Sequence, residues 1–160
     1  MKIKTDIDWS GLNKIQKQME RLEQREVKAG YGDEIHTESG LKMSQLANYM
    51  ENGVRGDTGM KIPPRPFIAQ ALTIWQDSIE KESMLVVDNA IKGKDAVVNK
   101  HLQTIAAEGI ASLQDSIEMQ NFKELSPITV RIKEAKGSRF ARDMLLDSGE
   151  LFQSATSDIK

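Results

Sequence analysis

The spacing of apolar residues along the chain predicts several amphipathic helices. In residues 8–24, Leu12, Ile15, Met19 and Leu22 lie three or four positions apart with polar residues between them. This is the period of a helix with one apolar face, and Ser10 is a suitable N-cap residue. Residues 44–53 repeat the pattern on a shorter scale and end in Asn-Gly, a common signal for the end of a helix.

The middle of the chain predicts two long helices. The first runs from about 67 to 91, and its apolar stripe consists of Ile68, Leu72, Trp75, Ile79, Val86 and Ala90, interrupted by Glu82 and Ser83. The second runs from about 94 to 120, with Val98, Leu102, Ile105, Ala106, Gly109, Leu113 and Ile117 on one face. Gly93 breaks the chain between them, which favours an antiparallel helical hairpin over 67–120.

Strand patterns are short and lie near the two ends of the chain. In residues 26–31, Val27, Ala29 and Tyr31 alternate with other residues, and the tail Ala155–Ile159 can form a terminal strand. Between the hairpin and this tail, the region 126–159 begins with Ser126-Pro127, a typical helix start. The predicted fold is α+β, a single domain over 1–160 with a small antiparallel sheet packed against several helices including the long hairpin.

Composition excludes several classes of protein. The 160 residues contain no cysteine, which excludes disulfide frameworks and Cys-ligated metal sites. Charges at Lys2, Lys4, Asp6 and Asp8 argue against a signal peptide, and no apolar run approaches the length of a membrane span. A net charge of −2 leaves no basic excess to hold nucleic acid by charge alone.

Candidate catalytic chemistry is sparse. His36 lies near Asp33 and Glu38, so a metal-dependent hydrolase is one hypothesis, but the spacing fits no zinc motif and a solvated acidic loop is the simpler interpretation. His101 is expected to be a half-exposed residue of the second long helix. Neither a Walker A loop nor a G-x-S-x-G elbow is present, so we expect no enzyme activity, no cofactor and no metal.

The densest basic stretch is Arg131 to Arg142, with five basic residues. Glu134 and Asp143 dilute it, so the stretch predicts either a solvated, mobile segment or a modest phosphate-facing patch.

Two segments stand out as candidate interaction or structural elements. The Pro-rich loop 60–66 leads into Phe67, and its extended backbone makes a rigid support for one aromatic anchor, or a loop that orients the following helix. This segment, together with the end of the preceding helix, contributes the candidate residues Glu51, Gly53, Pro63, Pro64, Arg65, Pro66 and Phe67.

The second segment is a turn near the C-terminus. Asp147 or Ser148 can cap the helical turn that follows Gly149, with Leu146, Leu151 and Phe152 packing inward. A simple capped turn is the plainer interpretation of the same residues.

In order along the chain, six phrases of this sequence resemble tail-completion, head–tail joining and virion-morphogenesis proteins of tailed bacteriophages. The matching phrases are Val27–Gly30 (V-x-x-G), Tyr49–Gly53 (E-x-G), Ile62–Phe67 (I-P-x-R-P-F), the mid-helix Gly109, Ser126–Lys133 (S-P-x-T-x-x-x-K) and Met144–Ser154 (P-L-I-D-T-G-x-L-x-x-S). The last phrase departs from the family pattern, since Met144 replaces the usual Pro and Ser148 the usual Thr. The resemblance covers roughly residues 26–158.

This resemblance implies a structural virion protein that completes the tail or joins it to the head. It implies a subunit of a ring, with a hexamer matching tail symmetry, assembled in the host cytoplasm among other neck and tail proteins, with DNA as passing cargo and no membrane. A transient tail-assembly factor that leaves the mature virion is the alternative. In either role, Arg65 is expected to pair with a carboxylate within the protomer or across the ring.

Overall fold

The computed structural model describes residues 9–56 and 61–160, with the backbone alone for Lys61. The charged N-terminal positions and the first residues of the predicted helix 8–24 and loop 60–66 lie outside the described residues. The described elements, in chain order, are α1 (Ser10–Glu23), β1 (Val27–Tyr31), α2 (Met43–Asn52), β2 (Val54–Arg55), β3 (Lys61–Ile62), α3 (Phe67–Ile91), α4 (Asp95–Glu118), α5 (Pro127–Ala135), α6 (Glu150–Gln153) and β4 (Ala155–Ile159).

The long helices α3 and α4 form the predicted antiparallel hairpin. The indole Nε1 of Trp75 donates to the backbone carbonyl of Ile105 at 2.8 Å. Further along, His101 Nδ1 lies 2.7 Å from Glu82 Oε2. Glu82, which interrupts the predicted apolar face of α3, therefore has a partner, because its carboxylate faces the half-buried His101 of α4.

The two terminal strand predictions are confirmed as one antiparallel sheet. β1 pairs with β4 in a register that sets Val27 opposite Ile159 and Tyr31 opposite Ala155. The sheet packs against α4, where Gly109 lies directly under Ala29. The fold is therefore α+β, with the helical hairpin covering one face of a small sheet.

Two clusters of buried side chains form the core, and α4 contributes to both. One contains Val86, Ala90, Val98, Leu102 and Ile105 between α3 and α4. The other contains Met43, Ala47, Phe67, Ile117 and Leu151, and joins α2, α3, α4 and α6. The predicted stripe of α4 is confirmed in full, since all seven of its positions are buried.

The predicted apolar faces of α1 and of the start of α3 are partly wrong. In α1, Met19 and Leu22 pack against the core, but Leu12 is 56% exposed. In α3, Leu72 is exposed and Ala71 is buried in its place, because Phe67 and Ala71 define the inward face of the first turns. A small residue therefore holds a core position that the sequence pattern assigned to large ones.

Local boundaries differ from the prediction in two further places. Trp9 rather than Ser10 is the N-cap of α1, and α2 begins at Met43 rather than Ser44. Within the loop 60–66, whose backbone is predicted to be extended, Ile62 pairs with Val54 in a second two-stranded sheet of β2 and β3. Among the described helices, none combines the length and the apolar character that spanning a membrane requires.

Candidate interaction groove

The Pro-rich segment and the C-terminal turn, far apart in sequence, both line one groove of about 890 Å³. Helix α5 forms a further wall. The candidate residues that line it are Pro63, Arg65, Asp147, Ser148, Gly149 and Leu151. The structure thus brings together most of the residues that the sequence singled out.

The Pro-rich segment is fixed to the end of α2 by backbone contacts. Gly53 has φ +71°, and a Cβ there would lie 2.6 Å from the carbonyl oxygen of Ile62 and 2.8 Å from the nitrogen of Pro64. Glycine is therefore required by both conformation and space. The Arg65 amide donates to the carbonyl of Met50 at 2.8 Å, which secures the segment before α3 begins.

Glu51 caps the long helix from a distance in sequence. Its carboxylate accepts hydrogen bonds from the backbone N–H groups of Ile68 at 2.7 Å and Ala69 at 3.1 Å. These are donors that the first turn of a helix leaves without partners, and a carboxylate also complements the positive end of the helix dipole. Glu51 thus ties α2 to the start of α3.

Phe67 is an internal anchor. Its side chain is completely buried, and its ring packs against the Tyr31 ring in a T-shaped arrangement with centroids 5.9 Å apart. The Tyr31 hydroxyl is buried without a hydrogen-bond partner among the described residues, and burial raises the pKa of that phenol. Of the two interpretations of the Pro-rich segment, orientation of α3 through a core contact is the one that the geometry of Phe67 supports.

Lys133 is buried and holds the loop that forms the far wall of the groove. Its ammonium donates to the backbone carbonyls of Phe140 at 2.8 Å, Asp143 at 2.8 Å and Leu146 at 2.6 Å. An ammonium has three donors, so all are used. Burial lowers the pKa of Lys133, while the carboxylates of Asp147 and Asp143 act in the opposite direction.

Within the basic stretch 131–142, Lys133 alone of the five basic residues departs from the predicted solvated segment, since the other four are exposed. Lys133 lies inside the fold as a structural cation, and only 7% of the residue is exposed. From the sequence, Lys133 was interpreted as part of a charged surface, and its role as a buried structural cation was missed. Its position six residues after the helix-starting Pro127 gave no signal of burial.

Arg65 has no ion-pair partner among the described carboxylates, so the expected pair within the protomer is not present there. Arg65 is 7% exposed, its Nε has no hydrogen-bond partner within 9–56 and 61–160, and its Nη1 lies 3.9 Å from the sulfur of Met50. Burial lowers the pKa of this guanidinium. The positive charge of Arg65 also lowers the pKa of Lys133, so two cations lie near each other at the groove.

The C-terminal turn uses Ser148 rather than Asp147 as its local acceptor. Ser148 Oγ accepts from the backbone N–H of Glu150 at 3.3 Å, while Gly149 is the N-cap with φ +81°. Asp147 instead lies 3.9 Å from the Lys133 ammonium. Leu151 is buried in the core, as predicted.

The loop around His36 is organised by Glu150. The Thr37 amide donates to the Glu150 carboxylate at 2.9 Å, which lowers the pKa of that carboxyl, and His36 Nε2 lies 3.7 Å from the same group. Asp33 pairs with Lys42 at 2.9 Å. Across the described ranges no three His, Asp or Glu side chains are grouped to hold a metal ion, so the geometry gives the His36 hydrolase hypothesis no support.

Helix α5 has an inverted arrangement of apolar and charged residues. It buries Lys133 and exposes Ile128 and Ile132, which are 71% and 52% accessible and line the groove. Ile62 adds a 38% exposed apolar side chain. A cluster of exposed branched residues around a groove is typical of a protein-binding surface. The four-residue spacing of Ile128 and Ile132 was the available sequence signal for it.

Comparison with known proteins identifies no relative, so the groove is the main evidence on function. No protein-family model, no curated protein and no solved structure matches the chain. What the protein does is therefore argued from its own residues.

Proposed function

We propose that this protein is a structural subunit of a tailed-phage virion, which completes the tail or joins it to the head as part of an oligomeric ring. The observation that carries the proposal is the groove itself. Three of the phrases that resemble the phage family, Ile62–Phe67, Ser126–Lys133 and Met144–Ser154, contribute its walls.

The chemistry of the groove favours binding over catalysis. Lys133 is saturated by carbonyl groups, and Glu150 accepts from a loop amide. These charged groups have structural partners, whereas the isoleucines at the rim are free to meet another protein. A non-enzymatic role among other neck and tail proteins, with DNA only as passing cargo, is consistent with this division.

Two measurements test the proposal. Light scattering after size exclusion, with negative-stain imaging, is expected to show a ring, for which a hexamer is our leading copy number. Mass spectrometry of purified particles is expected to detect the protein. A strict monomer that is absent from particles would refute the proposal, and a ring-forming protein absent from particles would favour the transient assembly factor instead.

A further inference from the structure

The outer face of α3 carries an exposed stripe that combines apolar and acidic side chains. Met84, Val87 and Ile91 are 71%, 41% and 44% exposed. Their spacing places them on one helical face, and Glu80 lies on the same face one turn before Met84. Asp77 is a further exposed residue at the start of this stripe. We call these five residues the α3 stripe.

The α3 stripe carries carboxylates, and the groove contains the guanidinium of Arg65, which a carboxylate could pair with. Asp77 and Glu80 form no ion pair with any cation that the structure describes, and Glu80 accepts only from Gln76 Nε2 at 3.3 Å. In the groove, Arg65 is a buried cation without a carboxylate partner among the residues that the structure describes. Each surface also presents exposed branched or flexible apolar side chains next to these charges.

The two surfaces cannot satisfy each other within one chain. Arg65 lies two residues before α3, whereas Asp77 and Glu80 lie 10 and 13 residues after its first residue, about 15 and 20 Å along the helix at 1.5 Å per residue. Two different surfaces, separated along one helix, can pair head to tail between copies. Such a contact closes into a ring when the rotation between subunits allows it.

We propose that the groove of one copy binds the α3 stripe of the next copy, with Asp77 or Glu80 placed beside Arg65. This inference rests on the proposed ring-forming function and names its interface. Nucleic acid is a poorer occupant, because Glu38, Asp143 and Glu150 also line the groove and would repel a polyanion. A single carboxylate, in contrast, matches the fork of one guanidinium.

A mixing experiment tests the proposal with two matched variants. Ile128→Glu alters the groove and Met84→Glu alters the α3 stripe, and both side chains are 71% exposed, so each variant is expected to fold. Leu12→Glu, at a 56% exposed position of α1, is the control. Sedimentation velocity of the wild type and the control is expected to show the same oligomers.

Each variant alone is expected to lose self-association by at least about tenfold in affinity. An equimolar mixture of the two is expected to form a dimer and nothing larger, because one intact groove and one intact stripe remain to pair. Glu80→Lys is expected to weaken the wild-type oligomer, with less effect at high salt because that charge is screened.

Three results would overturn the proposal: a monomeric wild type at about 100 μM, oligomers that resist both variants, or variants that stay monomeric when mixed. Failure of the proposed function is separable. If the protein passes the mixing test but is absent from purified particles, the proposed interface stands and the proposed virion role fails. If the protein is a monomer but is found in particles, the virion role stands and the interface fails.

Discussion

Gly109 marks the closest approach between the helical hairpin and the sheet, and replacing it with alanine tests that contact. A Cβ at this position would lie 2.6 Å from the Cβ of Ala29 in β1 and 2.8 Å from the Trp75 ring in α3. Both distances are far below ordinary carbon–carbon contact. The Trp75 ring is held by its hydrogen bond to Ile105, so it is not free to turn away.

The magnitude follows from two opposing effects of Gly109→Ala. Alanine in a helix interior is favoured over glycine by about 1 kcal/mol. Overpacking a filled core costs about 1 to 3 kcal/mol, and contacts on two sides place this site at the upper end of that range. The expected net loss is about 2 kcal/mol in the free energy of unfolding, or roughly 4–8 °C in Tm for a chain of this size.

Urea denaturation followed by circular dichroism measures the effect. Gly11→Ala is the control, because nothing lies within 4 Å of a Cβ there and its stability is expected to stay equal or rise. The double variant Ala29→Gly/Gly109→Ala removes one of the close contacts and is expected to show favourable coupling. If Gly109→Ala were as stable as the wild type, the tight packing of sheet against hairpin would be refuted.

Three further changes probe the groove and its supports. Phe67→Ala is expected to cost about 3–5 kcal/mol in chemical denaturation, because the ring is wholly buried; an unchanged stability would contradict its role as a core anchor. Lys133→Met is expected to cost about 2–4 kcal/mol and to speed amide exchange in residues 138–147, since three loop carbonyls lose their donor; unchanged exchange would refute this role. Because the pKa of Glu150 is lowered in the folded state, its carboxylate stabilises the fold above the ordinary carboxyl pKa, and this contribution is lost as the pH falls through the lowered value. At pH 7, Glu150→Gln is therefore expected to have a lower Tm than the wild type, and this Tm difference is expected to vanish in acid. A Tm difference that does not change with pH would contradict the stabilising role of the carboxylate.

The parts of the fold that the sequence predicted are those governed by local periodicity. The α4 stripe from Val98 to Ile117 repeats at helical spacing and is buried along its length. Strands β1 and β4 were also predicted, since Tyr31 and Ala155 lie in short alternating segments, although their pairing across the chain depends on tertiary packing. The exposure of Leu72 was not predicted, because a sequence pattern assigns the buried face of a helix to a large apolar residue rather than to the alanine beside it.

The candidate site was predicted as two segments but not as one groove. Contacts such as Glu51 to Ile68 and Thr37 to Glu150 join residues whose proximity no local pattern encodes. Lys133 was missed for a related reason. A lysine is normally placed on the surface by its charge, and only the carbonyl groups of a distant loop make its burial favourable.

The arrangement around Lys133 also has a consequence for how the loop responds to its surroundings. Backbone carbonyls gathered around one cation are the ligands by which many loops hold a metal ion such as calcium. Here the cation is attached to α5 by its own side chain, so it cannot be removed by a chelator or diluted away. The wall of the groove is then expected to acquire its shape as soon as α5 forms and to keep that shape without any supply of metal ions.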